Sequence, residues 1–208
     1  MKSLRLFLLP AALFATSFLS GQTSTVAPEA APGIPLPSTG IIFVLDHVHE
    51  APTLLQLHAS EIHYNSHAAG NFARSAIYAG PHSSTELVGV SSAVTLHTNQ
   101  AVLYVRLSGD DPELMRNRVT LIRLRSEKDK RVVSEFSMNI FGGQRSRYYD
   151  EVPASKSDVP DTNWLKLTPQ APLEPGEYAV VFIPKDKNLT PDSVYDFTVG
   201  GDPLPQKK

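Results

Sequence analysis

Cysteine is absent from the chain, and that one absence excludes a lipid-modified N-terminal cysteine, disulfide staples, thiolate metal sites and thiol catalysis together. An excess of charge of either sign is missing as well. A formal net charge of -2 and a pI near 6.4 give no broad positive field, which argues against nucleic acid or anionic lipid as a partner. The P-loop, GxGxxG, EF-hand, SxxK and HExxH patterns are all missing. The nearest approach to a nucleophile elbow is "GVSSAV" around Ser91, where Ala93 stands in place of the second glycine and no strand-turn-helix pattern flanks it. After residue 19 no apolar run reaches membrane-spanning length.

What is present begins with a leader. In "MKSLRLFLLPAALFATSFLSGQ", Lys2 and Arg5 precede an apolar run over residues 6–19 that gives way to small and polar residues, the layout of a secretory signal peptide. As a helix the run rises only about 21 Å against the roughly 30 Å of a bilayer core, so cleavage is predicted over a permanent span. Ala15/Ser17, Leu19/Gly21 and Thr25/Ala27 each offer a small-residue cleavage pair. The expected product is exported, periplasmic or extracellular. Residues 1–21 are assigned to the signal peptide. Residues 22–39, rich in Pro, Ala, Ser and Thr without an apolar period, read as a disordered spacer. Residues 40–199 form a single domain, and residues 200–208 a disordered tail. About 160 residues bury enough surface to need no staple.

Within the domain the dominant period is two. Candidate strands are "GIIFVLD" (40–46), "TLLQLHA" (53–59), "AVTLH" (93–97), "AVLYVRL" (101–107), "RVTLIRLRS" (118–126), "RVVSEFSM" (131–138), "NWLKLT" (163–168), "EYAVVFI" (177–183) and "VYDFTV" (194–199). Turn residues and 17 prolines favour short strands over long helices. Strands at this spacing, without alternating helical patterns, predict an all-β antiparallel sandwich. Helix is expected only over 68–80, which also reads as an irregular strand, and over 110–117, where Asp111 caps a turn whose first position is Pro112.

"LEPGEYAVVFIP" (173–184) resembles the tyrosine corner that leads into the penultimate strand of immunoglobulin-like sandwiches. The resemblance implies that Tyr178 bonds back to upstream backbone, that "NWLKLT" precedes it and that "VYDFTV" is the last strand. It covers about 40 residues closely; the family's cysteine pair is missing, and Trp164 lies upstream of the corner rather than mid-core. With the leader, the His-rich stretch 46–67 and "GNFARSAIYAGPHSSTELVG", the chain is similar to uncharacterised exported bacterial proteins carrying such a domain. That likeness implies an immunoglobulin-like sandwich with an extra N-terminal hairpin, and no activity.

Five of seven histidines fall between residues 46 and 67. Pairing 41–50 with 53–59 across the turn 50–53 sets His49 opposite Leu54, His47 opposite Gln56 and Leu45 opposite His58. His47, His49 and His58 then share a face, where neighbours lie about 5 to 7 Å apart, a spacing that suits zinc or copper; His63 and His67, four apart, share a side of either a helix or a strand. The competing reading is an exposed polar face, since a one-residue register change disperses the set. In the basic stretch 116–131, alternation turns Ile122 and Leu124 inward and Arg123 and Arg125 outward, with Glu127 and Glu135 answering across the turn. Finally "FGGQRSRYYDE" (141–151) offers Arg145, Arg147, Tyr148 and Tyr149, residue types that carry binding surfaces or fold back over a core. The expectation is a non-catalytic binding or cell-envelope accessory module without a cofactor, its partner an envelope protein or glycan. The alternative is a zinc- or copper-binding protein using His47, His49 and His58.

Overall fold

The computed structural model describes residues 27–48, 51–68, 70–71, 81–109, 111–138, 145–186 and 188–200, with the backbone alone at 145 and 146. The predicted signal peptide, the first part of the spacer, His49 and the tail from 201 lie outside the described residues.

A continuous apolar run in a strand means that both faces are covered, and "IIFVL" shows how. In β3 (Ile42–Val48), Ile42 and Val44 point into the central core, while Phe43 and Leu45 point the other way into a separate cluster with Tyr104 and Trp164. β3 sits inside a five-stranded antiparallel sheet ordered β14 (Ala154–Asp158), β15 (Trp164–Pro169), β9 (Val102–Arg106), β3, β4 (Ala51–Leu57). A ten-stranded sheet faces it, ordered β5 (Ala59–Ser60), β17 (Val194–Val199), β16 (Gly176–Phe182), β10 (Val119–Ser126), β11 (Lys130–Met138), β7 (His82–Val88), β6 (Ile62–Asn65). β12 (Arg145–Tyr148) lies beside β11, β13 (Asp150–Glu151) beside β10, and β8 (Thr95–Leu96) runs parallel to β17. The helix α1 (Pro112–Arg118) precedes β10. Its N-cap Asp111 accepts the Leu114 N–H at 2.9 Å with proline in the first turn, as the sequence predicts.

The chain is therefore all-β, with two antiparallel sheets packed face to face: Ile42, Val44, Leu103, Val105, Leu165 and Leu167 of one meet Leu121, Tyr178, Val180 and Phe197 of the other. At the predicted corner the Tyr178 hydroxyl donates to the Glu174 carbonyl at 2.8 Å. β16 is also buried on both faces. Ala179 and Val181 alternate away from the central core into a second one with Ile122, Leu124, Val133 and Leu87. The β11–β7–β6 half of the long sheet has thus folded over onto the β16 half, a layer that the strand spacing did not foretell.

The spacer expectation is corrected between residues 27 and 39. β1 (Glu29–Ala31) and β2 (Ile34–Pro35) form a hairpin laid on the outer face of the five-stranded sheet. Leu36 is buried with Phe43, Leu45, Tyr104 and Trp164. The Tyr104 hydroxyl donates to the Ala30 carbonyl at 2.6 Å, and the Arg106 guanidinium, 4.6 Å from the Trp164 ring centroid, donates to the carbonyls of Pro37 and Ser38. Phe43 and Leu45 leave an apolar face that this segment shields from water.

Candidate functional site

β10 cannot hold both its neighbours along its whole length, and the consequence is an opening in the sheet. Val119 to Leu124 pair with β16, whereas Arg125 and Ser126 pair with Val132 and Arg131 of β11. β11 in turn pairs from Glu135 onward with β12, which begins at Arg145, and the same chain then reaches β10 through β13, Asp150 opposite Arg123. Three ladders enclose a triangle. Leu124, Val133 with Ser134, and Tyr149 fall between them and lack a ladder partner on the enclosed side. The side chains of Leu124, Val133 and Tyr149 all belong to the second core, and Leu124, Val132 and Val133 line the opening and give it a largely apolar floor.

Over the floor stands a cleft of about 400 Å³ rimmed by Arg123, Arg125, Glu135, Tyr148 and Asp150. Its two guanidiniums are answered within the chain. Arg123 Nη1 donates to Glu174 at 2.7 Å, and this bond raises the guanidinium above its ordinary pKa. Arg125 donates to Glu135 and, at 3.2 Å, to Glu127; that first bond also holds the Glu135 carboxyl below its usual value. Tyr148 is 66% exposed and Tyr149 7%.

Arg125, Val132 and Glu135 also border a second cleft, of about 250 Å³, on the outer face of β7. Alternation along "HSSTE" puts His82, Ser84 and Glu86 on that face, and the register brings Glu135 opposite Ser84 and His63 opposite Glu86. His67 follows β6 in a left-handed backbone conformation, φ 48°, uncommon for a residue with a Cβ. The Asn65 carboxamide oxygen accepts its N–H at 2.9 Å and so holds the turn. Asn71 clips this segment to β7, accepting the His82 N–H and donating to the His82 carbonyl, each at 2.7 Å. The two imidazoles end 5.0 Å apart, centroid to centroid. His67 Nε2 lies 2.7 Å from the Ser84 hydroxyl, which donates to Glu86. Burial pushes the Glu86 carboxyl up, but the Lys130 ammonium at 2.7 Å, the Ser84 hydroxyl and Asn65 outweigh it and hold the group below its ordinary value.

Of the four residues expected to bind, Tyr148 faces solvent at the opening. Arg145 lies in β12 opposite Met138. Arg147 donates to Thr85 Oγ1 and Ser134 Oγ at 2.9 Å and to the Asn188 carbonyl at 3.2 Å, with its guanidinium over the Phe136 ring; those bonds are spent inside the fold. Tyr149 is core. The histidine trio is corrected too. The register sets His47 opposite Pro52, Leu45 opposite Leu54 and Val48 opposite Ala51, so the pairing closes two residues earlier in the chain than expected and each partner shifts by four. His58 follows the end of β4, six positions beyond Pro52, or about 20 Å along a strand. Among the described residues no three His, Asp or Glu groups are gathered as metal ligands.

Sequence reading missed β7 because its inward residues are Ser83, Thr85 and Leu87, which make no apolar stripe. It also missed two clusters built on buried charges. Asp46 is fully buried and accepts from His97 Nδ1 at 2.8 Å and from the His97 and Thr98 N–H groups. Arg131, 4% exposed, meets Asp196 and Glu177. Both pair residues far apart in sequence, so no local pattern carries them. Comparison with known proteins returns no match: no protein-family profile, curated protein or solved structure is similar to the chain at a significant level.

Proposed function

We propose that the protein is exported and acts as a non-catalytic recognition module of the cell envelope, binding a glycan at the opening between β10, β11 and β12. The observation that carries this reading is the opening itself: an apolar floor, an exposed Tyr148 at its edge, and a rim of carboxylates and guanidiniums. A volume of about 400 Å³ lies in the range of small-ligand clefts, roughly 300–1,000 Å³. The rim guanidiniums are paired, Arg123 with Glu174 and Arg125 with Glu127 and Glu135, and Asp150 adds a further carboxylate, so the site presents many hydrogen-bonding groups and no positive field. That favours a neutral, hydroxyl-rich ligand over a polyanion. A tyrosine face adds apolar area with a polar tip, which suits the faces of sugar rings. The leader over residues 1–21 supports the envelope as the place of action, and the departures from serine, thiol and HExxH motifs support binding rather than catalysis.

Co-sedimentation of the purified domain with isolated cell-wall glycan, against soluble oligosaccharide competitors, tests the reading. Tyr148→Ala, exposed and outside the core, is expected to abolish retention while leaving the melting temperature unchanged. Equal retention of the variant and the wild type, or no retention of either, refutes it.

A further inference from the structure

The cleft beside the opening carries chemistry that glycan binding does not use. His67, His82, Glu86 and Glu135 converge on it from the turn after β6, from β7 and from β11. We propose that these four residues form a binding site for a divalent transition cation of the zinc class, with the two imidazoles as selective ligands and the carboxylates closing the set. His67 Nε2 lies 3.8 Å from Glu86 Oε1, and His82 Nε2 lies 3.9 Å from Glu135 Oε1. In a tetrahedral site with bonds of about 2.0–2.1 Å, ligand atoms stand roughly 3.3–3.4 Å apart. Each pair therefore needs to close by only about half an ångström, which side-chain torsions supply. No three of the groups already share one coordination point, so binding draws them in.

Two local bonds set the cost. The Ser84 hydroxyl donates to Glu86, so it receives its 2.7 Å contact from His67 as N–H donor. Coordination through Nε2 moves that ring's proton to Nδ1 and releases the serine. Lys130 and Arg125 already pair with the three carboxylates of the cleft, Glu86, Glu127 and Glu135, so the cluster offers a dication little net negative charge. Affinity then rests on the two imidazoles and is expected in the micromolar rather than the nanomolar range. The same balance disfavours calcium and magnesium, which seek several free oxygens, whereas imidazole suits zinc, copper and nickel. His63, though opposite Glu86 in register, turns its Nε2 towards Glu61 at 3.5 Å. His47, His58 and His97 lie on other parts of the fold.

The test is calorimetric titration of tag-free protein with zinc chloride at neutral pH. One equivalent is expected to bind in the micromolar range, with His67→Ala and His82→Ala each weakening it about tenfold or more, and His47→Ala and His58→Ala without effect. Because a histidine variant can disturb the turn it sits on, the wild-type protein supplies a second reading. Zinc is expected to shift the imidazole C–H resonances of two of the seven histidines, those that vanish from the spectra of His67→Ala and His82→Ala. Failure of zinc to bind more tightly than about 1 mM, unchanged affinity in both variants, or shifts confined to other histidines would overturn the site.

Discussion

Replacing Arg131 by methionine tests what joins the folded-over layer to the sheet beneath it. The guanidinium leaves β11 and reaches Asp196 of β17 and Glu177 of β16, the latter at 3.4 Å, while Nε and Nη2 donate to the carbonyls of Gly89 and Val88 at 3.1 and 3.2 Å. The two carboxylates are further engaged: Asp196 accepts from Ser60, and Glu177 accepts from Thr198 at 2.8 Å and from the Ser92 N–H at 3.0 Å. Methionine keeps much of the stem volume and removes the charge and every donor, so the cost is electrostatic rather than a cavity. It leaves two carboxylates buried side by side without their cation, and removing one partner of a buried ion pair costs about 3–5 kcal/mol. For a domain of this size, at roughly 2–4 °C per kcal/mol, the melting temperature should fall by about 6–20 °C. Urea unfolding at neutral pH is the assay, with an unchanged slope required so that the midpoint reports stability alone. Adding Asp196→Asn and Glu177→Gln to Arg131→Met should restore part of the loss, because the uncompensated charges go. A loss below about 1 kcal/mol for Arg131→Met would refute the account and place the cluster among ion pairs that solvent relaxes.

Two further outcomes follow from buried contacts. Burial pushes the Asp46 carboxyl up, but the His97 side chain and the N–H groups of His97, His47 and Thr98 outweigh it, so its pKa lies below the ordinary aspartate value; its stabilisation is complete above that ordinary value, about 3.9, and is lost as pH falls through the lower folded one. The urea midpoint of Asp46→Asn should therefore drop less than that of the wild type on acidification below about pH 5, and equal drops would contradict the assignment. Leu36→Ala, in the N-terminal hairpin and 6% exposed, should cost about 2–3 kcal/mol by urea titration, whereas a change within about 0.5 kcal/mol would mean that the segment is not part of the packed domain.

Strands whose apolar residues alternate or run together were legible from the sequence. The strands β3, β9, β10, β11, β15, β16 and β17 all fall on stretches predicted from period and turn residues, as does the capped helix at Pro112. The bond from the Tyr178 hydroxyl to the Glu174 carbonyl was equally readable, because the two residues are four apart. What escaped notice has one cause in common. β1 and β2 carry prolines and alanines, and β7 carries serine and threonine inward; neither shows a period until the surface it covers is known. Two of the four candidate binding residues, Arg147 and Tyr149, turn into the fold for a related reason. Arg147 and Tyr149 have the composition of a binding loop, but whether such residues face a ligand or a core depends on where β12 pairs, and only the register with β11 decides that.

Local chemistry alone determined that the chain is all-β, that it has no thiol chemistry, and roughly where each strong strand begins and ends, since backbone preference and alternation act over a few residues. The tertiary structure decided the rest. It folded the long sheet back upon itself, drew Asp46 to His97 and Arg131 to Asp196, opened a gap where β10 changes partners, and brought His67 against His82. Each of these depends on contacts between residues distant along the chain, whose geometry exists only once the layers have packed.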